Sequence, residues 1–536
     1  MKKIYIILLT AAFGMVSCEN YLNTEPIDKI SIKQYYTDET GLTQALAGVY
    51  DPLAWEPLYG NDFFLRINVC TDEGFYARSF QTTGVEVNNY DPTNVTINNI
   101  WAYCYMGINR ANDLIANINL PKMDETKRQI ILGEALFLRG YYHFLLVSNF
   151  ENVPLLLSPT TSPEDVFVSQ ATPKAVYDQI LKDMTEAEGK VATATSLGYS
   201  SRVSKTAVQG ILARVCLYMA GYPLNETAKY TDALAWAKKV ESSGEHALNT
   251  SYNAALSQAP FFTNSAYSQI FINHAQDIYS VKESMWEIEF KGNRLSSGDL
   301  ETGRLGNTAG ITTQNEKIGY CYGFVRGTAR LYKAYREGDL RRDWVLTPFT
   351  YNNLTGAKTK ITSTTGYGRD FAKWRREFEL SSPKNKNHGP INFPVLRYAD
   401  VLLMIAEAEN QVNGPTLAAY EAINKVRRRG YGLSIATPSM VADLSSGLSK
   451  NDFQLAIENE RMLELCFEGT RRFDLIRWNK YVSTLNSIGN EIGTGGGNQA
   501  YGGLGGKNTT EKHIFYPIPS KEMAVNKKLI QNTLWR

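Results

Sequence analysis

Residues 128–150 read RQIILGEALFLRGYYHFLLVSNF, and in this stretch Ile131, Ala135, Leu138, Tyr142 and Leu145 recur at steps of four and three. That spacing stacks apolar side chains on one face of an α-helix. Gly133 and Gly140 lie in the same turns and admit a neighbouring helix at close range. Residues 205–220 follow the same rule, with Val208, Leu212, Val215 and Met219 in the stripe and Ala207, Gly210 and Ala213 beside it. The pattern returns over 230–240 and stops near Gly244, then again over 397–411 and 416–429. The chain is therefore expected to be mostly α.

Helix, short turn and helix, with Ala and Tyr in the seams, is the layout of tetratricopeptide-like pairs, but the pairs have no constant period. Embedded hairpins are expected, not a regular solenoid. Between them run long irregular stretches rich in Gly, Asn, Thr and Tyr, at 81–99, 291–319 and 347–388, and loops this long are usually functional. Few short strands are expected. Trp286, Ile288 and Phe290 alternate with Glu287 and Glu289, a period of two. The glycine-dense segment 489–506 contains Gly495, Gly497 and Ala500 in G-x-G-x-x-A order. No flanking strand and helix accompany it, and Lys507 is followed by Asn508, so neither a dinucleotide fingerprint nor a P-loop fits. It reads as a flexible loop.

The N-terminus places Lys2 and Lys3 before an apolar run from Ile4 to Phe13 and ends it at Met15-Val16-Ser17-Cys18. This is the layout of a secretory leader. The last four residues resemble a lipoprotein cleavage box, so residues 1–17 are expected to be removed and Cys18 to carry lipid. No later stretch reaches the roughly 20 apolar residues of a membrane span without charges. Lys plus Arg number 56 and Asp plus Glu 54, a balance that leaves no basic stripe for nucleic acid. Five cysteines remain beyond Cys18, with no metal-ligand spacing. Cys216 and Cys466 sit in apolar helical patterns and read as buried hydrophobes.

Glu460, Arg461, Glu464, Glu468, Arg471, Arg472 and Asp474 crowd one helix and its following turn. Such a cluster suits either acid/base chemistry or ion pairs that fix a scaffold, and the scaffold reading is favoured. There is no G-x-S-x-G or H-E-x-x-H motif. No enzyme activity and no cofactor are expected.

Several segments together carry a family likeness. They are Tyr21-Leu22-Asn23-Thr24-Glu25-Pro26, Asn99-Ile100-Trp101 through Asn112, and Gly133-Glu134-Ala135 through Gly140. Further along come Leu396-Arg397-Tyr398-Ala399-Asp400, Phe467-Glu468-Gly469-Thr470-Arg471-Arg472-Phe473-Asp474 and Pro517-Ile518-Pro519. In this order the chain resembles the SusD/RagB family of outer-membrane nutrient-binding lipoproteins. The resemblance implies a SusD-like fold in two halves, 18–225 and 226–536, packed as one globule. It also implies a place on the outside of the cell outer membrane, held by lipid on Cys18, beside a SusC-like TonB-dependent transporter. The ligand would be an oligosaccharide. Peptide capture and a tetratricopeptide-type interaction scaffold are the alternatives.

The family places ligand contacts on two loops. One follows Thr71-Asp72-Glu73-Gly74-Phe75-Tyr76-Ala77-Arg78, with Asp72 and Arg78 as its polar pair, or else as a structural ion pair. Residues 79–100 have no tryptophan, which leaves Phe80 and Tyr90 as rings with Asn88 and Asn89 as hydrogen-bonding groups. The second loop falls within 291–324, where Tyr320 and Tyr322 alternate and point the same way if extended. Those two serve either as ligand platform or as strand packing.

Overall fold

Side-chain caps set most of the helix starts. Asp38, Asn94, Asp124, Thr172, Ser204, Thr416 and Ser449 each accept a backbone N–H from the first turn that follows, which satisfies donors that the helix itself leaves unpaired. The structure is a computed structural model that describes residues 35–292, 300–363 and 365–536. Cys18 and the leader lie outside the described residues.

In chain order the main elements begin with α1 (Glu39–Tyr50), β1 (Gly74–Tyr76), α2 (Val95–Asn117), α3 (Glu125–Phe150), β2 (Val153–Pro154), β3 (Gln170–Ala171) and α4 (Pro173–Glu188). Then come α5 (Lys205–Ala220), α6 (Lys229–Ser243), α7 (Ala266–Ala275), β4 (Ser284–Ile288), β5 (Val325–Gly327), β6 (Phe349–Tyr351), β7 (Lys358–Lys360) and β8 (Phe393–Arg397). The chain ends with α8 (Tyr398–Asn413), α9 (Leu417–Gly430), α10 (Lys450–Leu465), α11 (Arg471–Arg477), α12 (Tyr481–Ile492) and α13 (Asn498–Asn508).

The fold is mostly helical, and α3–α4, α5–α6 and α8–α9 pack as antiparallel hairpins, with α6 also laid on α8. One apolar cluster runs through them from Leu42 to Leu529. By length and composition α3 would span a membrane, yet 89% of its apolar window is buried inside the protein, so it is the central core helix. Gly140 lets Met184 of α4 approach to 3.3 Å of where a Cβ would stand. The strands form antiparallel pairs: β1–β5, β2–β3, β4–β8 and β6–β7. In β4 the period of two holds but both faces are covered, and Glu287 is buried against His274 and Asn392.

Two expectations are corrected. The glycine-dense segment 489–506 is not a loop: most of it folds into the end of α12 and into α13. The glycines are there for contact, since a Cβ on Gly489 would lie 2.6 Å from the Cα of Gly506 and one on Gly503 would lie 2.7 Å from the Gly493 nitrogen. The cost of helical glycine, about 1 kcal/mol each, is offset by backbone-to-backbone packing that no side chain allows. The stretch 347–388 likewise holds the β6–β7 hairpin.

The C-terminal charges form a buried network. Glu464 accepts from Arg341 at 3.1 Å, Arg397 at 2.9 Å and Arg429 at 2.5 Å. Arg397 also reaches Glu283 at 2.9 Å and Glu468 at 2.7 Å, and Lys373 reaches Glu468 at 2.5 Å. Arg461 bridges Asp400 and Asp474 at 2.7 and 2.8 Å, whereas Arg472 donates to the carbonyls of His513 and Ile514. Burial by itself would raise the Glu464 carboxyl, but Arg429, Arg397 and Arg341 outweigh it and bring it from 4.5 down to about 2. A depressed carboxylate stabilises the fold above its ordinary value, and that contribution is lost as pH falls through the folded one. Glu464→Ala takes the shared carboxylate from three buried guanidinium groups, and a cost of about 3–5 kcal/mol is expected. Urea unfolding at neutral pH measures it, and a loss below about 1 kcal/mol would contradict the network's role. Between pH 4.5 and 2 the parent protein should lose stability more steeply than the variant.

Candidate functional site

Two segments distant in sequence meet at the β1–β5 pair, where Gly74 faces Gly327 and Tyr76 faces Val325. The pairing continues beyond the strand, because the Ala77 N–H donates to the Phe324 carbonyl at 2.7 Å. Ahead of β5, residues 320–322 run beside Thr313 and Asn307, and Gly323, at φ +63°, turns the chain before Phe324. Cys321 exchanges both backbone hydrogen bonds with Thr313, at 2.9 and 3.1 Å, while the N–H groups of Tyr322 and Phe324 donate to the carbonyls of Asn307 and Thr308 at 2.7 and 2.9 Å. Alternation over 320–322 turns Cys321 inward, where it is buried, and sets Tyr320 and Tyr322 on the opposite side, while the turn at Gly323 brings Phe324 beside them; all three rings are half-buried.

These three rings form a ladder. Tyr320 meets Tyr322 edge to face at 4.9 Å, and Tyr322 stacks on Phe324 at 5.3 Å with 18° between planes. The Lys386 ammonium sits over Tyr320 at 4.9 Å and the Arg78 guanidinium over Phe324 at 5.4 Å, so a cation stands at each end. The Tyr322 hydroxyl donates to Oδ1 of Asn387 at 2.9 Å. Arg78, Lys386 and Asn387 are exposed. Beneath the ladder the buried Asn307 donates its amide to the carbonyls of Tyr320 and Lys386, at 3.0 and 2.8 Å, and Arg376 donates to the Tyr320 carbonyl at 2.8 Å. Backbone fixed this way loses little freedom when a ligand binds, which favours affinity.

Beyond Arg78 the chain carries Phe80, 82% exposed and held at φ +62°. A bulky residue in the left-handed region costs about 1–3 kcal/mol and commonly marks a functional segment. Its ring leans on Tyr501 of α13 at 5.5 Å, and Ser79 is hydrogen-bonded to Asn498 at the start of the same helix. The glycine-rich helix thus carries the half-buried ring on which the exposed Phe80 rests.

The remaining expected residues lie elsewhere. Asp72 and Arg78 are not a pair. Asp72 is buried, and Arg471 donates to both of its carboxylate oxygens at 2.8 Å. Tyr90 turns inward among Trp535, Tyr516 and His513, stacked on the Trp535 ring at 5.1 Å. Its hydroxyl is buried without a hydrogen-bond partner, and burial drives its pKa well above the usual 10. Asn89 is exposed but spends its amide on the Thr82 carbonyl at 2.8 Å and its backbone on Gly84, closing a turn. Asn88 is buried against Thr509.

Phe324, Tyr501, Lys386 and Asn387 are absent from the sequence reading. Phe324 has the spacing of Tyr320 and Tyr322, but Gly323 at φ +63° breaks the strand between them, so its place depends on that turn and not on alternation. Tyr501 was obscured by the loop reading of its glycines, and Lys386 and Asn387 have no local signature. Among the described residues no cluster of His, Cys, Asp and Glu has the geometry to hold a metal ion, and Cys70, Cys104, Cys216, Cys321 and Cys466 are buried free thiols.

Residues 282–535 match the SusD family, and residues 20–217 match a SusD-like family described as starch-binding and associating with the outer membrane. The chain belongs to the SusD/RagB family. It is similar to SusD-like protein P2 of Formosa agariphila, 23% identical with 99% of each chain covered. The crystal structure of a SusD homolog from Bacteroides thetaiotaomicron superposes at a TM-score of 0.84 with 29% identity, covering 94% of this chain and 98% of that one. A laminarin-binding SusD-like protein shares the fold at a TM-score of 0.68 with 24% identity, covering 93% and 100%.

The two polar residues first grouped together should separate in a stability assay. Asp72→Ala leaves the buried Arg471 unpaired and is expected to cost about 3 kcal/mol or more, whereas Arg78→Ala should stay within about 0.5 kcal/mol of the parent. Equal effects in thermal unfolding would contradict this placement.

Proposed function

We propose that the protein captures glycans at the cell surface on the ladder of Tyr320, Tyr322 and Phe324, extended by Phe80 and Tyr501, and that it acts by binding and not by catalysis. The observation that carries this reading is the ladder itself: three half-buried rings in mutual contact on a segment that is pinned from below and edged by Asn387, Lys386 and Arg78. Sugars offer apolar ring faces bordered by hydroxyls, and aromatic rings beside amide and cationic donors match both features. The family's named association with starch and outer membranes supports the same reading, as does the laminarin-binding relative. Lipid on Cys18 would hold the protein at the outer membrane. A separate TonB-dependent barrel of the SusC type would take the ligand onward, since a lipid-anchored capture protein moves nothing across a membrane by itself.

Calorimetry against a panel of plant, host and microbial oligosaccharides tests the capture step. At least one glycan longer than a disaccharide should bind, and Tyr322→Ala or Phe80→Ala should weaken it about two- to tenfold without a change in thermal stability. Binding of peptides with silence across the glycans would overturn the reading. Native lipoprotein purified from membranes should bring down a β-barrel partner.

A further inference from the structure

The protein carries a formal net charge of only +2, so it exerts little general pull on anions, and any preference for them must be local. The ladder has such a local feature. Arg78 and Lys386 come from segments far apart in the chain and are brought to opposite ends of the same three rings. Both are exposed, and among the described residues neither forms an ion pair, although the chain makes many others. The carboxylates on neighbouring segments are already engaged: Glu86 pairs with Arg66 at 3.1 Å and feels Arg78 only through space, while Glu379 is held by Arg376 at 2.8 Å and Asp370 by Arg326 at 3.4 Å. Exposed Glu316 is followed at once by exposed Lys317.

We infer that the ladder selects glycans bearing carboxylate or sulfate groups, with Arg78 and Lys386 as the specificity-determining residues; this rests on the glycan-capture reading above. A cation held over a ring is oriented before any ligand arrives, and hydrogen bonds between a cation and an anion are roughly twice as strong as neutral ones. Three rings separate the two cations, so one small anion cannot bridge them. A chain with repeated anionic groups engages both ends while its sugar rings lie along the aromatic edges. Neutral glycans would leave both cations unanswered.

The test uses glycan pairs that share a backbone and differ in charge: polygalacturonate with its methyl ester, and dextran sulfate with dextran. At low ionic strength the charged member of at least one pair should bind about tenfold more tightly, the sum of two exposed charge contacts. That advantage should shrink with added salt and close in the Arg78→Gln/Lys386→Gln double variant, whose folding is checked by its melting temperature. The two pairs distinguish carboxylate from sulfate. Equal binding within both pairs would overturn the inference and leave glycan capture standing, as would a charge advantage that survives in the double variant. If no member of either pair and no neutral oligosaccharide binds, glycan capture fails and the inference fails with it.

Discussion

Glu464 sits where four parts of the chain converge. Arg341 comes from the segment after β5, Arg397 from the end of β8, Arg429 from α9, and Glu464 itself from α10. Taking these charges out of water costs several kcal/mol per ion, and their mutual attraction repays that only when every hydrogen bond is well made. Such a network adds little net stability, but it tolerates one arrangement and penalises the rest. Its outer members lead to the ladder by two routes. Lys373, bonded to Glu468, fixes the segment that places Arg376 on the Tyr320 carbonyl. Arg471, three residues beyond Glu468, clamps Asp72 and with it the approach to β1, Arg78 and Phe80.

The proposed binding face is in this sense the surface end of an interior arrangement. The rings stand half-buried on a segment whose carbonyls and N–H groups are answered by Asn307, Thr308, Thr313 and Arg376. The exposed groups, Arg78, Lys386, Asn387 and Phe80, are the ones with spare bonding capacity or bare ring surface. Rigidity below and unsatisfied chemistry above are what a capture protein needs, because ordering is complete before the ligand arrives. A SusD-like scaffold of helical hairpins supplies the rigid part.

Much of the helical scaffold was readable from apolar spacing. The expected helix at 205–220 keeps both ends, and the expected stop near Gly244 is that residue at φ +67°. The glycine-dense segment misled because composition records conformational freedom and not contact: what keeps Gly489, Gly503 and Gly506 helical is the absence of a Cβ between two close backbones. At the site, alternation places Tyr320 and Tyr322 on one side of the chain, whereas Phe324 joins them through the turn at Gly323, φ +63°. Asp72 was misplaced because its partner, Arg471, lies 399 residues away and nothing near Asp72 announces it. Lys386 and Asn387 reach the ladder through tertiary folding alone. Local periodicity reports faces, whereas pairing between distant segments leaves no mark in either one.

Whether ligand sits on the ladder is decided by a crystal structure with the tightest-binding oligosaccharide. Sugar density is expected along Tyr320, Tyr322 and Phe324, between Lys386 and Arg78, with those side chains near their present positions. Density confined to another surface, such as the roughly 390 Å³ cavity lined by Tyr50, Asp51 and Arg202, would contradict it.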